Sequence, residues 1–202
     1  NIGYTIAGNE TWFSGSIFEI HLSNSALDAA RELIEEKNIS IDKVESLVVD
    51  VHPDLLDIVR FHKPTKGFRG KFSIDYVLAG MLLDHKVDLN SFSDEYCNAP
   101  KMREALGKVR VNAHEEWAND SASRRKSPVT IQMKDGRSYT KQVDHVRGSP
   151  GNPLTRDELV EKYRSCASRV LNKEKLAESI EVIETLEAAP SLGCLTDTLR
   201  VD

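Results

Sequence analysis

The chain has 202 residues, of which 40% are hydrophobic and 29% charged, a balance typical of a soluble globular protein of one domain or slightly more. Its net charge of -5 argues against a nucleic-acid partner, because no excess positive field is present to attract phosphates. Neither a run of about 18 apolar residues nor an amino-terminal signal sequence is found, so we expect a cytoplasmic protein with no membrane partner.

The chain begins with a polar segment, followed by one helix and one strand. Residues 1–22 are rich in Gly, Ser, Thr and Asn, and we interpret them as a lead-in from a preceding domain. Apolar residues at helical spacing predict a helix from about residue 24 to Lys37. A strand rich in β-branched residues is predicted at Val44–Val51. The short apolar segment Leu55–Phe61 fits either a helix or a strand.

The most distinctive stretch runs from Gly67 to Val87. Its first part is basic and aromatic, and its second part is almost wholly apolar. Ser73 can cap a helix from Ile74 to about Leu83, and a helix that is apolar on most faces belongs in the interior. Gly80 predicts the close approach of another backbone. We therefore predict a loop that brings cations to the mouth of a buried helix, where an anion can bind. The alternative is a core helix that follows a solvated basic loop.

Several strands follow this stretch. A short helix is predicted at Lys101–Leu106, and alternating or β-branched patterns predict strands at Val109–Ala113, Val129–Met133 and Arg137–Val146. Asp135 and the glycine after it give a strong hairpin signal between the last two strands. Grouped strands with helices at both ends predict an α+β fold, in which helices pack on a small, mostly antiparallel sheet.

The C-terminal part of the sequence predicts helices. Thr155 and Glu158 form a capping box ahead of a helix that extends to about Leu171. A second helix is predicted from about Lys173 to Ala188. We expect it to bury the apolar residues Leu176, Ile180, Ile183 and Leu186.

These patterns divide the chain into three parts. After the lead-in, residues 23–154 are predicted to form the α+β domain. Residues 155–202 are predicted to form a C-terminal helical segment that packs on it.

The candidate chemistry lies in the basic part of the distinctive stretch. The histidines, cysteines and glycines show no spacing typical of a metal site or a phosphate-binding loop, so we expect neither metal nor cofactor. Lys66, Arg69 and Lys71 are interleaved with phenylalanines. They suit a small organic acid, because arginine gives a carboxylate a two-pronged contact and lysine gives it a point charge. Nearby cations would favour the charged form of Tyr76, which could then transfer a proton.

Four segments, in this order and spacing, resemble the MmgE/PrpD family: LDAARELIEEKNISIDKVESLVVDV, KFSIDYVLAGMLLDHKVDLNSF, DGRSYTKQV and RGSPGNPLTRDELVEKY. The resemblance covers about Ser25 to Leu199. It implies the smaller α+β domain of a metal-free lyase, with C-terminal helices that in the family pack on an all-helical domain. It further implies dehydration of a hydroxylated tricarboxylate such as 2-methylcitrate, by proton transfer next to a carboxylate. Cis-aconitate decarboxylase and iminodisuccinate epimerase activities are the alternatives.

The resemblance also implies roles for particular residues. It places Tyr76 on the family's active-site tyrosine and Lys71 on the basic position before it. Family members usually carry a lysine and then a histidine ahead of the first helix, where this chain has Glu19 and His21. The candidate site residues are therefore catalytic Tyr76 and His21, and substrate-binding Lys71, Arg69 and Lys66.

The resemblance implies partners as well. We expect a helical domain on the same or a neighbouring chain to complete the site, and a homodimer. The alternative is a non-catalytic half that binds a helical partner or only dimerises, and the departure at Glu19 favours this alternative.

Overall fold

The computed structural model describes residues 25–120, 122–123, 126–189 and 191–200. His21 and Glu19 lie outside the described residues. The chain divides into two compact units between Asn152 and Pro153. The predicted lead-in, and the predicted packing of the C-terminal segment on the α+β domain, stay predictions.

A four-stranded sheet organises the described part of the first unit. Its strands are β1 (Val44–Val51), β2 (Val109–Ala113), β3 (Val129–Met133) and β4 (Ser138–Lys141). They lie in the order β2-β1-β3-β4. The β1–β3 and β3–β4 pairs are antiparallel, whereas β1 and β2 are parallel. The predicted α+β fold with a mostly antiparallel sheet is therefore confirmed, although β4 is shorter than predicted.

Helices and the sheet enclose one hydrophobic core in this unit. The helices are α1 (25–37), α2 (Asp54–Ile58), α3 (Gly67–Gly70), α4 (Ile74–Asp84), α5 (Asp94–Asn98) and α6 (Pro100–Lys108). α1, β1, α4 and α6 contribute fully buried side chains to this core, such as Ala30, Leu47, Leu78 and Met102. Removal of apolar surface from water at these positions is the main force that holds the unit together.

α4 forms at the predicted position. The hydroxyl of Ser73 accepts a hydrogen bond from the backbone N–H of Tyr76 at 3.3 Å, which caps the helix as the sequence indicated. The expected backbone approach at Gly80 is wrong. A Cβ there would lie 3.5 Å from a methyl group of Val87, which is ordinary van der Waals contact.

The second unit contains α7 (Arg156–Ala167), α8 (Lys173–Glu184) and α9 (Gly193–Thr198). The predicted capping box is confirmed, because Glu158 accepts a 2.7 Å bond from the Thr155 N–H and returns its own N–H to the Thr155 hydroxyl at 3.3 Å. α7 ends at Ala167, earlier than predicted.

The predicted burial along α8 is wrong. Leu176, Ile180 and Leu186 are only partly buried, and Ile183 is exposed. Side chains of α7 and α8, among them Leu159 and Ile183, line a cavity of about 460 Å³. None of the helices that the structure describes is long and apolar enough to cross a membrane.

Candidate functional site

Residues 63–70, here called the clamped loop, are tied through their backbone to α4, α5 and α6. Two backbone N–H groups of the loop donate to carboxylates: Lys63 to Asp75 Oδ2 at 2.9 Å, and Gly67 to Asp94 Oδ1 at 2.8 Å. The Pro64 carbonyl accepts bonds from Cys97 Sγ at 3.1 Å and from Arg103 Nη1 at 2.7 Å. The Thr65 carbonyl accepts a bond from Asn98 Nδ2 at 2.9 Å. Side chains that the loop presents therefore start from a fixed backbone, which lowers the entropy lost when they bind a ligand.

Two glycines let the loop pack tightly. A Cβ at Gly67 would lie 2.1 Å from the carbonyl oxygen of Phe92, and a Cβ at Gly70 would lie 2.7 Å from the ring of Tyr76. The short helix α3 between them can approach its neighbours this closely only because neither residue has a side chain. The sequence motif GFRG is thus a one-turn helix seated on Phe92 and Tyr76, rather than an open loop.

Lys66 is neutralised within the chain. Its ammonium lies 2.9 Å from a carboxylate oxygen of Asp94. This hydrogen-bonded ion pair raises the pKa of Lys66 and lowers the pKa of Asp94. Lys66 is therefore already paired with Asp94, and its role in substrate binding stays a prediction.

Arg69 and Lys71 contact aromatic rings instead of carboxylates. The guanidinium carbon of Arg69 lies 5.3 Å from the ring centroid of Phe61, and the ammonium of Lys71 lies 5.9 Å from those of Phe68 and Phe92. Among the residues that the structure describes, neither cation has an acidic partner within ion-pair distance. Both charges thus remain available to a bound anion.

Exposed aromatic rings surround these two cations. Phe68 is 68% exposed and Phe72 is 41% exposed, and their rings meet edge to face with centroids 5.7 Å apart. We call Phe68, Arg69, Lys71 and Phe72 the cationic patch. Large apolar side chains left in water beside unpaired charges are typical of a surface that binds something.

Tyr76 lies at the start of α4 and is only 1% exposed. Its hydroxyl donates a hydrogen bond to the carbonyl oxygen of Ser91. Burial raises the pKa of Tyr76, and the neighbouring Cys97 thiol raises it further. The expectation that nearby cations favour the charged phenolate is therefore wrong. A raised pKa favours the protonated phenol, which can donate a proton.

A second polar cluster lies where the parallel strands β1 and β2 end. The imidazole of His114 lies 2.6 Å from Glu116 and 2.9 Å from Asp50, and it stacks on Trp117 with centroids 4.4 Å apart. The hydrogen bonds to Asp50 and Glu116 raise the pKa of His114. Both ring nitrogens are already engaged, so this cluster is a structural ion network. The part of the chain that the structure describes has no group of three or more His, Cys, Asp or Glu side chains able to hold a metal ion.

The sequence matches the family model described as the MmgE/PrpD C-terminal domain over residues 19–188. The chain belongs to the MmgE/PrpD family. This match confirms the family that the resemblance implied, and it covers most of the α+β unit described above.

Cis-aconitate decarboxylases are among the relatives of this MmgE/PrpD chain. The protein from Mus musculus is 30% identical over 159 residues, which cover 79% of this chain and 32% of that protein. The protein from Homo sapiens is 27% identical over 192 residues, which cover 91% of this chain and 39% of that protein. The protein from Aspergillus terreus is 26% identical over 140 residues, which cover 68% of this chain and 28% of that protein. The chain thus spans well under half the length of these relatives.

The sequence patterns did not reveal the contacts that hold the clamped loop in place. Asp94 and Arg103 fix the clamped loop, and Asp75 is a buried carboxylate that the half-exposed His62 approaches. These pairs are separated along the chain and have no common periodicity, so the sequence carries no local signal for them.

Proposed function

We propose that this MmgE/PrpD domain forms one wall of a lyase active site for a small di- or tricarboxylic acid. The observation that supports this most is the presence of two cations, Arg69 and Lys71, without acidic partners among the described residues, on a backbone fixed by side chains from three helices. Cations that need no rearrangement are suited to hold carboxylates while a proton moves at the adjacent carbon. The opposite wall would come from a helical domain on the same or a neighbouring chain, in a homodimer.

Decarboxylation of cis-aconitate is the reaction that we favour for the assembled site, because several relatives are named for it. Dehydration of a hydroxylated tricarboxylate such as 2-methylcitrate is the second candidate. The neutral phenol of Tyr76 favours it, since a leaving hydroxyl group needs a proton donor. Both reactions begin with the same recognition step, in which two or three carboxylates are held by fixed cations. An epimerase acting on iminodisuccinate would share that step.

Ligand affinity tests the recognition step. In the full-length protein, Arg69→Gln or Lys71→Met should each weaken binding of cis-aconitate, 2-methylcitrate or the unreactive analogue tricarballylate about tenfold or more, since a charge-assisted bond contributes roughly 1.5–3 kcal/mol. Isothermal titration and ligand-dependent melting temperature give the two readouts.

Lys86→Met is the matched control for these variants. It also removes one exposed ammonium, but that ammonium already lies 3.4 Å from Asp88. Affinity should not change in this control. Equal affinity in the Arg69, Lys71 and control variants, or no binding of any acid, would contradict the proposal. Binding without turnover in the full-length protein would support the non-catalytic alternative.

A further inference from the structure

A buried carboxylate stands at the start of α4 without a cation beside it. The side chain of Asp75 is only 4% exposed. One of its oxygens accepts a hydrogen bond from the hydroxyl of Ser73, and the other accepts the N–H of Lys63 at 2.9 Å. Among the described residues, neither lysine nor arginine lies within ion-pair distance of it. These two donors hold the buried carboxylate in a fixed orientation. A carboxylate fixed in this way is suited to orient another polar group.

His62 approaches that carboxylate from the solvent side. Its Nδ1 lies 3.8 Å from Asp75 Oδ2, and its side chain is 51% exposed. Within the described part of the chain, Asp75 is its sole polar partner. The other nitrogen, Nε2, is therefore free to meet a ligand. At 3.8 Å these two atoms are too far apart for a hydrogen bond, and we expect the contact to shorten when substrate binds.

The backbone beside His62 is strained. Lys63 has a φ of 43°, in the left-handed region that residues with side chains rarely adopt. This conformation costs on the order of 1 kcal/mol and persists because Asp75 holds the Lys63 N–H and Arg103 holds the carbonyls of Lys63 and Pro64. These hydrogen bonds hold the strained backbone in place, and they therefore fix the position of the His62 side chain.

His62 also lies beside the cationic patch. The residue before it, Phe61, donates its N–H to the carbonyl of Phe72 at 3.4 Å, and the guanidinium of Arg69 stacks on the Phe61 ring. The segment that carries His62 therefore runs along the segment that carries Phe72 and Asp75. A substrate with several carboxylates that binds Arg69 would extend along this edge.

Three other candidate side chains are less accessible to a ligand than His62. Tyr76 is buried, and His114 has both nitrogens bonded to carboxylates. His52 is 1% exposed and accepts the N–H of Asp54. His62 combines an accessible nitrogen with a buried carboxylate 3.8 Å from its other nitrogen, and a shorter contact of this kind orients an imidazole for acid–base work.

We propose that His62, oriented by Asp75, is the proton-transferring residue that this domain supplies to the site, an assignment that rests on the proposed function. In decarboxylation, the bond from the substrate carbon to the departing carboxylate breaks and carbon dioxide leaves. The electron pair that remains on the substrate forms a new C–H bond with the proton of His62 Nε2. His62 passes from imidazolium to neutral imidazole in this step, and it then recovers a proton from water, which leaves as hydroxide. Asp75 acts as a positioning residue through Nδ1.

Kinetics of three variants of the full-length protein test this assignment, with cis-aconitate or 2-methylcitrate as substrate. His62→Ala should lower kcat about 100-fold or more while KM changes little, since a general acid contributes roughly 10²–10⁴-fold. Added imidazole should restore part of the lost rate. Asp75→Asn should lower kcat about tenfold, as loss of an orienting partner does, without rescue by imidazole. His85→Asn, at the other end of α4, is the control and should retain the rate of the unchanged protein.

The possible results separate the two proposals. If the unchanged protein turns over an acid and His62→Ala keeps its kcat, or loses it without rescue by imidazole, the role of His62 is overturned while the proposed function stands. If the unchanged protein turns over neither acid, the proposed function fails and the role of His62 fails with it.

Discussion

Tyr76 is held from three sides, and this fixes what it can do. Its ring packs under Gly70, its hydroxyl donates to the Ser91 carbonyl, and the Cys97 thiol lies beside it. The carbonyl of Ser91 is itself fixed, because the side chains of Asp88 and Ser91 cap each other's backbone. A phenol in this setting is a directed hydrogen-bond donor, and a substrate must draw it away from Ser91 to receive its proton.

Removal of the Tyr76 hydroxyl should therefore affect both stability and turnover. In Tyr76→Phe the buried Ser91 carbonyl loses its donor, which should lower the free energy of unfolding by about 1 kcal/mol. Turnover by the full-length protein should fall about tenfold or more. Chemical denaturation and steady-state kinetics give the two measurements.

Tyr96→Phe is the matched control for that prediction. The hydroxyl of Tyr96 donates to Asp84 at 2.6 Å, and burial raises its pKa as well. This control should lose stability to a similar extent but keep its turnover. Equal turnover in the two variants would contradict the role given to Tyr76.

At the residue scale, the sequence indicated the candidate site residues but not the groups that contact them. Lys71 and Tyr76 could be selected from the motif KFSIDY, because residue types and spacing are local properties. The pairing of Lys66 with Asp94, and of His62 with Asp75, depends on how the helices pack. The expectation that nearby cations favour the charged form of Tyr76 was wrong for the same reason, because burial raises its pKa.

At the scale of elements, α3 packs so closely on its neighbours that one added methyl group would clash. In Gly70→Ala the new methyl group would overlap the Tyr76 ring, so the ring or the helix must shift. We expect a loss of about 1–3 kcal/mol in the free energy of unfolding, as for other overpacked sites. Thermal or urea unfolding measures it.

Gly107→Ala is the control for the Gly70 substitution. It lies in α6, and a Cβ there meets no atom within 4 Å. This change should leave stability unchanged or raise it by about 0.5–1 kcal/mol, because alanine favours a helix more than glycine does. A Gly70→Ala protein as stable as the Gly107→Ala protein would show that α3 is not seated on Tyr76.

Elements with local signals could be predicted closely, whereas those set by long-range contacts could not. Ser73 and Thr155 cap α4 and α7 as expected, because a cap involves residues only three positions apart. The parallel pairing of β1 with β2 joins strands separated by α2 to α6, and no local pattern encodes it. The apolar face of α8 was expected to be buried, but amphipathic spacing shows only that a face is apolar, not that anything covers it.

At the scale of the whole molecule, the family match identifies the kind of domain, and the geometry identifies the residues that could form a site. The match to the MmgE/PrpD C-terminal domain covers residues 19–188, while the relatives are longer proteins of which this chain covers 39% or less in the cases above. The cationic patch and His62 belong to the first unit, so the proposed wall lies within one compact body. The chemistry of that wall can therefore be tested by substitutions within the first unit.

A crystal structure of the full-length protein bound to tricarballylate would test the central claim most directly. We predict that carboxylate oxygens of this unreactive tricarboxylate lie about 2.7–3.2 Å from Arg69 and Lys71, as in other charge-assisted hydrogen bonds. The clamped loop should keep its present backbone, because Asp75, Asp94 and Arg103 already hold it. A tricarballylate molecule bound by other cations, with Arg69 and Lys71 left facing solvent, would contradict the account.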